Sequence, residues 1–292
     1  MIGETKGRKV FNIVNVVLLI LLACVTTFPF INVIAASFST SLELLERPFM
    51  LFPYKPTVVS YKYIFSTGTF IRSMGISAHV TVVGTLLCII MTFIMAYPLS
   101  HKSLVGRSVL MNLIVFTMLF NAGMIPTFLN IKQLGLMDSL WAIILPGAIS
   151  TYNLIIVKNF MQQIPEELKE AARIDGANEL YILWRIILPL SLPVLATFSL
   201  FYAVGHWNQY FNYLLYINDH RKWNVQILLR QIVTQAAGIG DSEATRGETA
   251  IVIPESGVKN ACILVSTLPI LIVYPFLQKY FTKGVLLGSI KG

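Results

Sequence analysis

The chain has 292 residues, of which 55% are hydrophobic and only 12% are charged. Soluble domains carry a charged fraction of about 25%, and the mean hydropathy here is +0.71, so the composition excludes an ordinary soluble protein. The formal net charge is +8, but most Lys and Arg residues flank apolar blocks, where they anchor membrane spans rather than bind nucleic acid.

Continuous apolar blocks of about 20 residues run through the sequence, long enough for a helix to cross the hydrocarbon core of a bilayer. A membrane barrel would alternate apolar and polar residues instead, so the blocks predict an all-α membrane protein. The first block, residues 10–38, is too long for a signal peptide and lacks a small-residue cleavage site, so we interpret it as an N-terminal anchor span. Core spans are predicted over residues 74–281, near Met74–Leu99, Ser108–Asn130, Leu140–Phe160, Leu190–Ile217 and Lys259–Phe281. Residues 1–292 are predicted to form a single transmembrane domain with six spans.

The charges of the short segments predict the orientation of these spans. The N-terminal tail and the turn from Lys102 to Arg107 are basic, whereas the short segment from Lys132 to Asp138 is not. Short cytoplasmic loops of membrane proteins carry an excess of Lys and Arg. We therefore predict a multi-pass protein with both termini in the cytoplasm.

The predicted cytoplasmic loop between the fourth and fifth spans, residues 160–189, contains the signals of a short helix. Pro165 suits the first helical turn, where its missing N–H costs nothing. Glu166 and the glutamate after it lie near the positive end of the helix dipole. Gly176 suits the stop, where a positive φ is common. The sequence therefore predicts a helix from Pro165 to Asp175.

The predicted helix has one small, mildly apolar face and one charged face. Helical spacing places Leu168, Ala171, Ala172 and Asp175 on the first face and Glu166, Lys169, Glu170 and Arg173 on the second. A small face lets another surface approach closely, which favours a docking element. The alternative, an amphipathic helix lying on the bilayer, would need bulky inserting residues that this face lacks.

The same loop resembles the EAA motif of permeases in binding-protein-dependent ATP-binding-cassette (ABC) importers. That motif reads Glu-Ala-Ala, three residues, Gly, nine residues, Ile, one residue, Leu-Pro, and it is met in full by Glu170, Ala171, Ala172, Gly176, Ile186, Leu188 and Pro189. Asp175–Ala177 and the stretch Lys283–Gly292 resemble the carbohydrate branch of the family, in particular the maltose-type second permease and the complex-polysaccharide permeases.

This resemblance implies a type I ABC importer permease in a bacterial cytoplasmic membrane, with six transmembrane helices and a cytoplasmic coupling helix. The residues that would couple transport to ATP hydrolysis are Glu170, Ala171, Ala172, Asp175, Gly176, Leu188 and Pro189. The implied partners are a second permease subunit, two ATPase subunits, an extracellular solute-binding protein and a saccharide cargo. The chain contains no Gly-Lys dipeptide and hence no Walker A loop, so we expect ATP and Mg²⁺ in the ATPase subunits and no cofactor on this chain.

Polar and aromatic residues within the predicted spans are candidates for the substrate pathway, because polar groups at that depth are costly unless they line a cavity or bond to neighbours. The candidates are Asn121, Asn153, His206, Trp207, Asn208, Tyr210 and Asn212. On one continuous helix Asn208 and Asn212 would share a face, as would His206 and Tyr210. Aromatic rings beside amides suit sugar recognition. The alternative is hydrogen bonding between helices that only fixes the bundle.

The sequence has three further features: an interrupted third span, a polar outer segment and three separate cysteines. Gly123 and Pro126 predict an interruption of the third span, beside Asn121. The polar, Gly-rich segment 238–256 is either a solvated loop or a docking surface for the solute-binding protein. The three cysteines lie far apart without CxxC spacing, which predicts neither a disulfide nor a metal site.

Other function classes fit the sequence less well. An ion-coupled secondary transporter would need carboxylates within the membrane, but all fourteen acidic residues fit in loops or tails. A membrane enzyme would need a nucleophile–base pair or a metal-ligand cluster, and the sequence offers no catalytic candidate. The same importer class with a different cargo, a phosphorylated polyol or a peptide, stays open.

Overall fold

The computed structural model of the chain describes residues 6–47, 49–120, 122–236 and 256–289. Every regular element in these ranges is a helical segment. The α-helices are α1 (Lys6–Ser37), α2 (Ser41–Glu46), α3 (Val59–Ser66), α4 (Gly68–Ser100), α5 (Arg107–Leu119), α6 (Met124–Gln133), α7 (Trp141–Ile144), α8 (Thr151–Gln162), α9 (Glu166–Ile174), α10 (Glu179–Ile182), α11 (Leu188–Trp207), α12 (Phe211–Tyr216), α13 (Val225–Ala236) and α14 (Ser256–Ser289). A π-helical turn, Leu183–Ile187, joins α10 to α11.

Four helical stretches are long and apolar enough to cross a membrane, namely Gly7–Ser37, Gly68–Ser100, Glu179–Trp207 and Gly257–Pro275. Two bent helix pairs also qualify. One is α5 with α6, bent by 112°, and the other is the stretch Trp141–Gly147 with α8, bent by 50°. If each bent pair is one span, the described residues hold six candidate spans, the number predicted. The predicted all-α, multi-pass membrane fold is confirmed.

The third span is interrupted where the sequence predicts. Helix α5 ends at Leu119 and α6 begins at Met124, directly after Gly123, whose φ is +85°. Pro126 lies in the first turn of α6, where its missing N–H leaves no helical hydrogen bond unmade. Asn121 lies outside the described residues.

The fifth span differs from the prediction at both ends. It was expected over Leu190–Ile217, but helical structure runs from Glu179 to Trp207 and then breaks before α12. The side chain of Asn224 holds this break, because its Nδ2 donates to the carbonyl oxygen of Gln209 and its Oδ1 accepts from the N–H of Ile227. The expectation that Asn208 and Asn212, or His206 and Tyr210, share the face of one helix is therefore wrong.

The described residues up to Ile71 form one compact unit with those of 229–268. In this unit every residue of the N-terminal span from Gly7 to Ile31 is exposed. The segment after α1 folds back on itself, since the Thr57 N–H donates to the Phe38 carbonyl and the hydroxyls of Ser37 and Tyr61 lie 2.6 Å apart.

The second compact unit contains residues 72–228 and the described residues from Pro269 onward. Two apolar clusters form its core. One, which we call the EAA-side cluster, joins α4, α8, α10 and α11 through buried residues that include Tyr97, Met161 and Ile182. The other joins α4, α6, α7, α12 and α13 through residues such as Val80, Ile143, Tyr213 and Ile227. The prediction of a single functional domain over 1–292 stays a prediction.

Candidate functional site

The predicted short helix of the EAA loop is present as α9, Glu166–Ile174, with Pro165 before it and Asp175 as its C-cap. Gly176 has a φ of +82°, as its place at the helix stop predicts. The N–H of Ala177 donates to the Ala172 carbonyl at 2.9 Å and that of Gly176 to the Arg173 carbonyl at 3.0 Å. This pair of bonds is the Schellman motif, which satisfies carbonyls left open at a helix end.

The structure divides the EAA motif between an outward and an inward face. Glu170, Ala171 and Asp175 are exposed, and so is Gly176. Ala172, by contrast, packs against the EAA-side cluster. Leu188 packs against the same cluster and Pro189, the second residue of α11, is exposed.

Apolar side chains widen the outward face of α9. Leu168 is 45% exposed and Ile174 is 86% exposed. Exposed apolar side chains that lie side by side indicate a surface that a protein partner can cover. The helical pattern of the sequence does not mark Ile174 as exposed, although its position one residue before the C-cap follows from the predicted helix end.

Of the four residues predicted to form the charged face of α9, Lys169 and Arg173 contact the rest of the unit, whereas Glu170 is exposed. Lys169 is only 2% exposed and its ammonium donates to a carboxylate oxygen of Glu166 at 2.8 Å. This hydrogen bond lowers the pKa of the Glu166 carboxyl below its usual value. Arg173 donates from Nε to Glu179 at 2.8 Å and from Nη1 to Glu166 at 3.4 Å.

The end of α4 meets these charges through two aromatic residues. The Tyr97 hydroxyl donates to Glu179 at 2.5 Å. The His101 ring lies edge-on to the Tyr97 ring, with ring centroids 4.7 Å apart. His101 Nδ1 lies 3.0 Å from the Tyr97 carbonyl oxygen, which can only accept, so Nδ1 carries the proton. The other ring nitrogen, Nε2, then accepts from Arg173 at 3.5 Å.

An open cleft of about 760 Å³ lies beside the C-terminal end of α9. Its lining includes Asp175, Gly176, Asn178, Tyr181 and Arg185. Asn178 also shapes the cleft, because its side chain accepts from the Tyr181 N–H and starts α10. The cleft and the exposed face of α9 are therefore contiguous, and both consist of residues from the EAA loop.

Two of the pathway candidates, His206 and Trp207, are buried, with 6% and 5% exposure. His206 Nε2 lies 3.5 Å from the sulfur of Cys88, and its ring lies against Gly84. Trp207 lines a small, almost wholly apolar cavity of about 210 Å³. These contacts favour a packing role for both side chains.

The remaining candidates are dispersed. Asn153 is 7% exposed in the first turn of α8. Asn208 is exposed and accepts from Gln226 at 3.5 Å, while Tyr210 and Asn212 are half-buried at the break and in α12. The structure thus spreads the candidates over α8, α11, the break and α12. The segment 238–256 falls almost entirely on residues 237–255, outside the described part of the chain.

The described residues thus form a helical membrane protein with several candidate spans and a short capped helix between two of them. Residues 69–287 match the family described as "Binding-protein-dependent transport system inner membrane component", and the chain belongs to this family. The family assignment confirms the resemblance inferred from the EAA motif.

Two proteins of Bacillus subtilis (strain 168) are similar over nearly the whole chain. Protein LplC is 54% identical over 291 residues, 99% of this chain and 97% of LplC. The polygalacturonan/rhamnogalacturonan transport system permease protein YtcP is 51% identical over 287 residues, 98% of this chain and 99% of YtcP. Among solved structures, a chain of a bacterial ABC transporter involved in the import of the acidic polysaccharide alginate superposes with a TM-score of 0.87 at 33% identity, covering 96% of this chain and 100% of that chain.

Proposed function

We propose that this chain is the permease subunit of an ATP-driven, binding-protein-dependent importer that carries a saccharide, of oligosaccharide size, into the cytoplasm. The observation that carries the proposal is α9: a short helix of the EAA loop that is anchored through Lys169, Ala172 and Arg173 and leaves the rest of its surface exposed. The relatives support the cargo, since YtcP is named for polygalacturonan and rhamnogalacturonan transport and the alginate importer for another acidic polysaccharide.

The proposed complex contains a second permease subunit, two ATPase subunits and an extracellular solute-binding protein. The ATPase subunits hold ATP and Mg²⁺, and this chain binds no cofactor. In the permease, Glu170, Ala171, Asp175 and Gly176 would contact an ATPase subunit, because they are exposed on α9 and its turn. Ala172 and Leu188 would hold the helix against the EAA-side cluster, and Pro189 would begin the fifth span proper.

The proposed substrate pathway uses the described candidates that reach a surface, namely Asn208, Tyr210 and Asn212. Asn208 is exposed at the end of α11, and the other two follow it within the break and α12. Asn153, His206 and Trp207 would then support the pathway by packing. The whole chain would act as one transmembrane domain, with α1 as its anchor.

The orientation of the spans gives a prediction of its own. In a variant whose three cysteines are replaced by serine, Lys102→Cys should react with a membrane-impermeant thiol reagent only from the cytoplasmic side, and Lys55→Cys only from outside. Both lysines are exposed in the structure, so accessibility does not limit labelling. The basis is the excess of basic residues in short cytoplasmic loops. Labelling on the reversed sides would contradict cytoplasmic termini in the bacterial cell membrane.

The function itself is tested by reconstituting the full complex in vesicles with its binding protein. We expect ATP-dependent accumulation of oligosaccharide, tested with oligogalacturonate and with a neutral maltooligosaccharide. Uptake driven by an ion gradient without ATP would point to a secondary transporter. Uptake of a phosphorylated polyol or a peptide, and of neither saccharide, would replace the cargo assignment while leaving the importer class intact.

A further inference from the structure

Three elements of the second unit meet at one carboxylate, that of Glu179. One oxygen of Glu179 accepts from Arg173 of α9, and the other accepts from the Tyr97 hydroxyl near the end of α4. Glu179 itself is the first residue of the helical run that becomes the fifth span. A single side chain therefore connects the EAA helix with two spans.

The charges of the four side chains around this carboxylate balance one another. Lys169 and Arg173 contribute two positive charges, and Glu166 and Glu179 contribute two negative ones. Hydrogen bonds to charged groups are stronger than neutral ones, and removing one partner leaves the other charge poorly compensated. The arrangement thus favours one fixed position of α9 relative to Tyr97 and Glu179.

The end of α4 offers a firm attachment point, because side chains satisfy the carbonyls that a helix end leaves open. Arg107 Nε donates to the Leu99 carbonyl at 2.9 Å, and Gln162 Nε2 donates to the Ser100 carbonyl at 3.1 Å. These bonds join the end of α4 to the residues that begin α5 and end α8. A force applied to Tyr97, in the last turn of α4, would accordingly act on the whole helix without first unravelling that turn.

Apolar packing also connects α9 to α4 and to the helical run that begins at Glu179. Ala172 of α9 and Ala177 after it pack on the cluster that contains Tyr97, Met161 and Ile182. The helix is consequently held by two kinds of contact, an apolar layer and a set of ion pairs. Both kinds of contact lead to α4 and to the helical run that begins at Glu179.

We propose that Glu179, Arg173 and Tyr97 form a rigid joint that makes α9 move as one body with the end of α4. This inference rests on the proposed function: an ATPase subunit that displaces α9 would displace α4 and the start of the fifth span with it. Tyr97 and Glu179 are positioning residues in this scheme, since they act through α9.

The joint is tested in the full reconstituted complex by substitutions that preserve the shape of the side chain. Tyr97→Phe removes one hydroxyl, and Glu179→Gln removes one charge. For each variant we expect the ATPase subunits to co-purify at the wild-type level and ATP hydrolysis to continue. The amount of oligosaccharide imported per ATP hydrolysed should fall about tenfold, which is the loss equivalent to one hydrogen bond to a charged group. The two substitutions act on the same carboxylate, so the loss in the double variant should be smaller than the sum of the two single losses. Tyr152→Phe, a 57% exposed tyrosine of α8, is the matched control and should keep the wild-type ratio.

A distance measurement tests the joint independently of transport. In the complex whose permease has its three native cysteines replaced by serine, spin labels at Lys102→Cys, after the end of α4, and Glu167→Cys, on α9, should report the same distance with and without trapped ATP. Tyr97→Phe should broaden that distance distribution. A wild-type distance that changes with ATP, or variants that keep the wild-type transport ratio, would overturn the joint. A wild-type complex that imports no saccharide would instead overturn the proposed function.

Discussion

Gly176→Leu is expected to abolish uptake while the permease still inserts in the membrane. The residue has a φ of +82°, and a side chain in this region of backbone conformation costs roughly 1 kcal/mol or more. An added Cβ would meet nothing within 4 Å in this chain, so the chain has room for the side chain itself. The leucine would distort the turn that ends α9 and would project into the surface proposed to receive the ATPase subunit.

Gly135 offers a matched control for this substitution. It has a φ of +67° and closes α6 with the same two hydrogen bonds, from Gly135 to Lys132 and from Leu136 to Ile131. An added Cβ there also meets nothing within 4 Å. Gly135→Leu should therefore carry a similar backbone strain and yet retain ATPase association.

The measurement is co-purification of the ATPase subunits with each variant, together with hydrolysis stimulated by the loaded binding protein. We expect both to be lost for Gly176→Leu and kept for Gly135→Leu. Wild-type values for Gly176→Leu would show that the turn after α9 is not part of the coupling surface. Equal losses in both variants would assign the effect to folding.

The features that could be predicted from the sequence are those whose causes are local. Gly176 ends α9 through hydrogen bonds that reach back only to Arg173 and Ala172, so the glycine and the glutamates before it were sufficient evidence. The interruption at Gly123 is of the same kind. The spans themselves could be located because the length of an apolar block reflects the thickness of the bilayer.

The features that could not be predicted depend on partners distant in the sequence. The fifth span ends at Trp207 because Asn224, 15 residues beyond Gln209, satisfies a carbonyl at the break. Arg173 of α9 is tied to the rest of its unit by Glu179, which in turn bonds to Tyr97, 82 residues earlier. Spacing along one helix carries no information about such contacts, so the sequence did not predict that the covered side of α9 takes Lys169 from one predicted face and Ala172 from the other.

The bend of the fourth span has the same kind of cause. Between α7 and α8 the carbonyl of Gly147 accepts from the Cys88 thiol at 3.4 Å, and the N–H of Ser150 donates to the Tyr202 hydroxyl at 3.2 Å. A break inside a membrane is tolerated only where its backbone groups find partners within the protein. Residues of α4 and α11 supply those partners, which makes the packing of these two helices a condition for the bend.

Gly84→Ala is expected to destabilise the permease more than any other single methyl group added at a described glycine of α4. The new Cβ would lie 2.6 to 2.9 Å from three atoms of the His206 ring, closer than van der Waals contact permits. His206 is 6% exposed, so its ring has little room to retreat. Overpacking of this kind costs typically 1–3 kcal/mol, and here it would push α11 away from α4.

Gly75→Ala in the same helix is the control that separates overpacking from helix propensity. Its added Cβ meets nothing within 4 Å, and alanine favours a helix over glycine by up to about 1 kcal/mol. Thermal unfolding of the purified full-length permease should therefore give a lower Tm for Gly84→Ala and an equal or higher Tm for Gly75→Ala. Adding His206→Ala to Gly84→Ala should restore part of the lost Tm, since it removes the ring that the methyl group strikes. An unchanged Tm for Gly84→Ala would mean that α4 and α11 are not packed as closely as the His206 contact requires.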